Sequence, residues 1–168
     1  STNDGFDDAS NDVPYWQDAT VGQSNAITGT KSGGHSGDWS AQVYWTGDGV
    51  VQTTSHIIAA TDIFDLSVWW KSGFRPGPVT LYYLDNGSRI DFTTLDLTGS
   101  GDDWTQAELL GVTAPVAAVG SPVGVYLGDP AANDTVYDDI SLTVIPEPAS
   151  LTLLAIAGLF IIRRRRRE

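Results

Sequence analysis

Apolar and polar residues begin to alternate at Trp39. Trp39, Ala41, Val43 and Trp45 share one side of the chain, and Ser40, Gln42 and Tyr44 the other. A period of two is that of a half-buried strand. Phe64, Leu66, Val68 and Trp70 repeat it against Asp65, Ser67, Trp69 and Lys71. Val79 to Leu84, Ile90 to Leu97, Trp104 to Leu110 and Pro122 to Leu127 read as further strands, and Val136 to Val144 as the last. Asp85-Asn86-Gly87-Ser88 reads as a hairpin turn, because Asn-Gly accepts the positive φ that a two-residue connection demands. Residues 1 to 37 are polar and weakly periodic. Within them Gly5-Phe6-Asp7-Asp8 is a candidate first strand, Tyr15-Trp16 an isolated aromatic pair, and Lys31 to Gly37 a loop by composition. No segment before Ala149 has a 3.6-residue apolar period. The pattern predicts one antiparallel β-sandwich of about eight or nine strands.

The C-terminus breaks with this pattern. Pro146, Glu147 and Pro148 precede an unbroken apolar run from Ala149 to Ile162, and Arg163, Arg164, Arg165, Arg166 and Arg167 close it. Those fourteen residues make about 21 Å of helix, short of a hydrocarbon core of roughly 30 Å. Ile145 to Pro148, with arginines snorkelling to the headgroups, extend it to a single transmembrane helix. The positive-inside rule puts Glu168 in the cytoplasm and residues 1–144 outside. Two domains are expected: 1–144 as an extracytoplasmic sandwich and 145–168 as anchor and cytoplasmic arginine cluster.

Charge sharpens this division. Of nine Lys and Arg, five are the terminal arginines, leaving Lys31, Lys71, Arg75 and Arg89; of 21 Asp and Glu, only Glu168 follows the apolar run. A surface so acidic repels nucleic acid and excludes it as a partner. The chain has neither Cys nor Met. The first means that an exported domain folds on packing alone, with or without a metal. The second suggests a signal peptide removed before Ser1.

Pro146-Glu147-Pro148, the short apolar helix and Arg163 to Arg167 together resemble a PEP-CTERM protein-sorting tail. The resemblance implies an exported protein of an exopolysaccharide-making Gram-negative bacterium, handled by a membrane sorting enzyme of the exosortase type. Its expected place is the inner membrane, single-pass, with the N-terminal domain in the periplasm.

A second resemblance runs over most of residues 5–144. His35-Ser36-Gly37-Asp38-Trp39-Ser40-Ala41, Phe64 to Lys71 (FDLSVWWK) and Val136 to Leu142 (VYDDISL) are similar to motifs of the galactose-binding-like jelly-roll found in many carbohydrate-binding modules. The fold this implies is an all-β, antiparallel jelly-roll sandwich. The family commonly holds a structural calcium where the first strand, the Ser-Gly loop and the last strand meet. Here Asp7 or Asp8, Asp138 or Asp139, and carbonyls near Ser36 to Asp38 would supply its oxygens. Strand parity puts Asp138 with Val136, Ile140 and Leu142 on the expected core face. An inward carboxylate needs a cation or several donors.

Sugar-binding modules stack the apolar face of a pyranose on an exposed aromatic ring. Parity assigns Trp39, Trp45 and Trp70 to the core, leaving Trp16, Tyr44, Trp69 and Tyr82 as candidate platforms. Catalysis has little support. His35 and His56 are the only imidazoles, neither near a nucleophile motif, and adjacent carboxylates such as Asp102-Asp103 alternate faces on a strand. His35 reads as an exposed polar residue. The expectation is a non-catalytic, membrane-anchored binding module for polysaccharide or matrix. Its alternatives are a single-pass accessory subunit docking on a larger membrane complex and, last, a hydrolase.

Overall fold

The computed structural model describes residues 2–3, 16–18, 28–43, 48–73, 75–99, 101–129 and 135–145. The expected strand at Gly5 to Asp8, the aromatic residues Tyr44 and Trp45, and the tail from residue 146 lie outside them. Among the described residues no helix is long and apolar enough to cross a membrane. In chain order the strands are β1 (Thr2–Asn3), β2 (Gln17–Asp18), β3 (Thr28–Ser32), β4 (Trp39–Val43), β5 (Asp48–Ile57) and β6 (Ile63–Ser72). They continue as β7 (Val79–Asp85), β8 (Ser88–Leu95), β9 (Gly101–Thr113), β10 (Pro122–Asp129) and β11 (Thr135–Ile145).

Two sheets result, both antiparallel. One runs β3-β4-β11-β6-β9, with β1 pairing along β11; the other runs β2-β5-β10-β7-β8. β6 shows why the alternation was informative: Phe64, Leu66, Val68 and Trp70 are buried, and the residues between them are half-buried. From the second sheet Val50, Val79, Leu81, Tyr83, Val123, Val125 and Leu127 meet them, so the core lies between the sheets. The Asn86-Gly87 turn has positive φ at both residues (50° and 82°), as a two-residue hairpin requires.

The described residues form eleven strands where eight or nine were expected, β1 and β2 being short additions, and three longer elements differ from expectation. β5 was not expected, and β3 begins in the polar N-terminal segment and takes Lys31 and Ser32 from the expected loop. In β11 the register slips between Asp138 and Ser141, and Asp139 adopts φ 46°. This bulge corrects the parity argument. Tyr137, Ile140, Leu142 and Val144 pack in the core, whereas Val136 and Asp138 face out beside Lys71 and Trp69. One extra residue exchanges the two faces.

Register also sorts the loops to two ends. Ile145 pairs with Ile63, and Ile63 with Thr113. The β5–β6 and β9–β10 connections meet at that same end, where the Ile58 amide donates to Ser121 O (3.0 Å) and the Gly120 amide to Ile58 O (2.9 Å). The β7–β8 turn lies there too, because Pro122 pairs with Ile57 and Val123 with Tyr83. The β6–β7 and β8–β9 connections occupy the opposite end.

Candidate functional site

The outer face of the five-stranded sheet is built from two rows of paired residues. Thr53, Gly124, Tyr82 and Asp91 cross it in one, and Gln17, Val51, Tyr126, Thr80 and Thr94 in the next. Glycine decides how the rings lie. A Cβ on Gly124 would overlap the Tyr82 ring, and one on Gly128 or Gly49 would overlap Tyr126. Both phenols therefore lie down over bare backbone. Tyr82 reaches across Gly124 to Thr53, hydroxyl to hydroxyl at 2.7 Å. Burial raises the Tyr82 pKa, against the lowering effect of the Thr53 hydrogen bond and Arg89, so the phenol stays protonated. The Arg89 guanidinium lies 4.0 Å above the Tyr126 ring centroid, and its Nε is 3.0 Å from Asp91 Oδ1. The result is a floor of two flat rings bordered by guanidinium, carboxylate, hydroxyl and amide groups.

The outer face of the six-stranded sheet carries a different cluster. The His35 ring stacks on Trp69 (centroids 3.8 Å apart, 12° between planes) and meets the edge of Trp104 at 5.8 Å. Lys71 Nζ sits 4.4 Å from the Trp104 ring centroid. Asp138 holds the loop from beneath: its Oδ2 accepts from the amides of His35 (2.6 Å) and Ser36 (3.2 Å), its Oδ1 from that of Asp139 (2.8 Å). Asp139 contacts His35 Nδ1 at 2.7 Å and accepts from the Ser36 hydroxyl. Burial raises the Asp138 pKa; the three amides oppose this, and the Asp139 charge adds to it.

The expected platform residues do not converge. Trp16 is buried in the core, which corrects its assignment as an exposed ring; an indole at a sheet edge gains more from apolar packing than from water. Tyr82 faces out as parity required but is only 1% exposed, so it floors the face and offers no platform. Trp69 lies on the opposite side of the sandwich with one ring face covered by His35. Tyr44 lies outside the described residues. His35, expected as a solvated loop residue, clasps Trp69 and Asp139. Tyr126, Arg89, Asp91, Trp104 and Lys71 were missed, although the alternation of Gly124, Tyr126 and Gly128 is a visible signal for a ring lying on a sheet.

For calcium, the described residues alone do not fit. Every carboxylate oxygen of Asp138 and Asp139 already meets a protein hydrogen-bonding partner, and no three His, Cys, Asp or Glu gather at one point among the described residues. The charge on Asp138 is met instead by donors, the other condition set for a desolvated carboxylate. A calcium site here depends on Asp7 or Asp8, which lie outside.

Residues 144–167 match the PEP-CTERM protein-sorting motif. That is the terminus resembled in sequence, and it implies an extracytoplasmic domain with a C-terminal membrane anchor. No curated protein matches the chain. Among solved structures, a Stig cyclase from Fischerella sp. TAU is similar at TM-score 0.65 and 19% identity, over 87% of this chain and 96% of that one. The CBM22-2 xylan-binding domain of Paenibacillus barcinonensis Xyn10C aligns at TM-score 0.55 and 15% identity, over 83% and 98%. A family 16 carbohydrate-binding module aligns at TM-score 0.56 and 20% identity, over 83% and 96%. At these identities the likeness shows the fold, a jelly-roll shared by carbohydrate-binding modules and by cyclases.

Proposed function

We propose that this protein is a non-catalytic binding module that holds a polysaccharide on the outer face of its five-stranded sheet. Its tail anchors it in a bacterial inner membrane, with the sandwich in the periplasm and the arginines in the cytoplasm, and an exosortase-type enzyme recognises that tail. The observation carrying the ligand assignment is the Tyr126–Arg89–Asp91 group over a glycine floor. A flat ring presents a π surface and edge to the apolar side of a pyranose, while guanidinium N–H groups and a carboxylate serve its hydroxyls. Thr53 and Gln17, both exposed, extend the polar border.

Two features weigh against catalysis. The Ser36 hydroxyl donates to Asp139 rather than to an imidazole, so the His35–Asp139 pair does not activate Ser36 as a nucleophile. The second pair, His56 Nε2 and Asp62 Oδ2 at 2.7 Å, closes the β5–β6 turn, where Asp62 also accepts from the Ala59 amide at 2.7 Å. Calcium enters the proposal only as a structural ion completed by Asp7 or Asp8. Calorimetric titration of chelator-treated protein should then show binding with a rise in melting temperature; an unchanged melt removes calcium.

Affinity electrophoresis of the full chain in mild detergent, through gels containing xylan and other β-linked polysaccharides, tests the ligand. Tyr126→Ala and Arg89→Ala should each weaken retention about tenfold, equivalent to about 1.4 kcal/mol, in protein that remains folded at the assay temperature. Retention equal to that of the unsubstituted protein would remove the glycan claim.

A further inference from the structure

The end of the sandwich at which β11 stops has a character of its own. Six large apolar side chains are exposed among the described residues: Ile57 (54%), Ile90 (40%), Leu110 (64%), Val116 (90%), Val119 (43%) and Ile145 (41%). Ile57, Val116, Val119 and Ile145 lie at this end, and Leu110 and Ile90 within three residues of it along β9 and β8. Three segments converge there without a charged residue: 57–61 (IIAAT), 112–123 (VTAPVAAVGSPV) and 142–145 (LTVI). Such a gap is unexpected in a domain with nineteen acidic groups. The nearby charges are Asp62, buried against His56; Asp65, which accepts from the Gly111 amide; Asp85 in the β7–β8 turn with the Arg89–Asp91 pair just beyond it; and, in sequence, Glu147 two residues past Ile145. The opposite end exposes Asp96, Asp102, Asp103 and Arg75.

The chain leaves through the apolar end. From Ile145 to Ala149, where the terminal apolar run begins, is four residue steps, at most about 14 Å of extended chain. With the run in a bilayer, this end cannot stand far from the lipid surface.

We infer that this end of the sandwich is a lipid-contact surface, with Ile57, Val116, Val119 and Ile145 seated at the headgroup–acyl boundary of the leaflet nearest the domain. The inference rests on the membrane-anchor reading and extends it. The tether makes contact intramolecular, so a few apolar side chains suffice where a free domain would need many. Charge sets the orientation. Carboxylates are repelled by anionic headgroups, so the acidic end points away and the uncharged end meets the lipid. The outer face of the five-stranded sheet, which runs between the two ends, then stands upright and open to the periplasm.

The chain has no cysteine, so single thiols report cleanly. Full-length protein in nanodiscs carries a nitroxide at Val116→Cys or Val119→Cys, at Gly73→Cys on the opposite end, or at Ala155→Cys in the tail. Val116 is nine-tenths exposed and a side chain at Gly73 meets nothing within 4 Å, so neither substitution disturbs packing. At 116 and 119, collision with oxygen should exceed collision with a water-soluble nickel chelate several-fold, and at 73 the order should reverse. If 116 and 119 match 73 while 155 is lipid-buried, the inference falls and the anchor stands. Weak collision with both reagents at 116 marks a protein contact and overturns the lipid assignment. Strong nickel collision at 155 overturns the anchor reading and this inference with it.

Discussion

At Gly77 the backbone of the β6–β7 connection touches another strand directly. A Cβ there would overlap the Gly128 carbonyl, which already accepts the Tyr137 hydroxyl at 2.9 Å, while the Gly77 amide donates to Thr135 Oγ1 at 2.9 Å. No flexible side chain can yield, so Gly77→Ala must move backbone. It should cost about 1–3 kcal/mol or more, read as a lowered denaturation midpoint. Asp62 is a second residue whose effect is calculable in sign. Burial alone would raise its pKa, but the Ala59 amide and the His56 ring prevail and hold it below the usual aspartate value. A depressed folded-state pKa contributes stability above the unfolded value, lost as pH falls through the folded one. Asp62→Asn should therefore lower the melting temperature at neutral pH, and the gap from the unsubstituted protein should close in acid below the folded-state pKa. A gap that stays constant with pH would deny the carboxylate this role.

Single elements show how far periodicity carries. β6 was legible because one side faces the core and the other does not, so burial writes a period of two into the sequence; β7, buried on both sides from Val79 to Tyr83, and β10 were legible only as short runs rich in strand-forming residues. β5 was not. After Val50 and Val51 it reads Gln-Thr-Thr-Ser-His, and nothing apolar marks its inner side, although β10 pairs along it from Asp48 to Ile57. The β11 bulge was invisible for another reason: an inserted residue leaves no compositional trace, yet it moves Asp138 from the core side to the loop side. The candidate site was therefore half legible. Aromatic residues on alternate positions were found, but the faces they occupy depend on register, and rings lying flat depend on glycines from neighbouring strands. The bulge makes its own prediction. Asp138→Ala leaves three amides without their acceptor, at roughly 1–3 kcal/mol. Hydrogen exchange at His35 and Ser36 should quicken, and Trp69 emission should change as the His35 ring lifts away. Unchanged exchange would show that the loop is held by other means.

For the entire chain, topology is the property to test. Arginines fix orientation by remaining on the cytoplasmic side. Replacing Arg163 to Arg167 with serine should make protease access to the sandwich in spheroplasts incomplete, whereas the unsubstituted chain is digested from outside throughout. The place of β11 in its sheet has a mechanical consequence. It is the strand nearest the tail, yet it is not an edge: β4 and β6 flank it, and β1 pairs along its middle. Traction on the tail, whether from the sorting machinery or from a moving ligand, runs along the strand and across its rungs. Those rungs then resist together in shear instead of opening one after another. In an optical trap, handles at Glu168 and Gly73 should meet a high, abrupt rupture, and gradual peeling at low force would contradict that geometry.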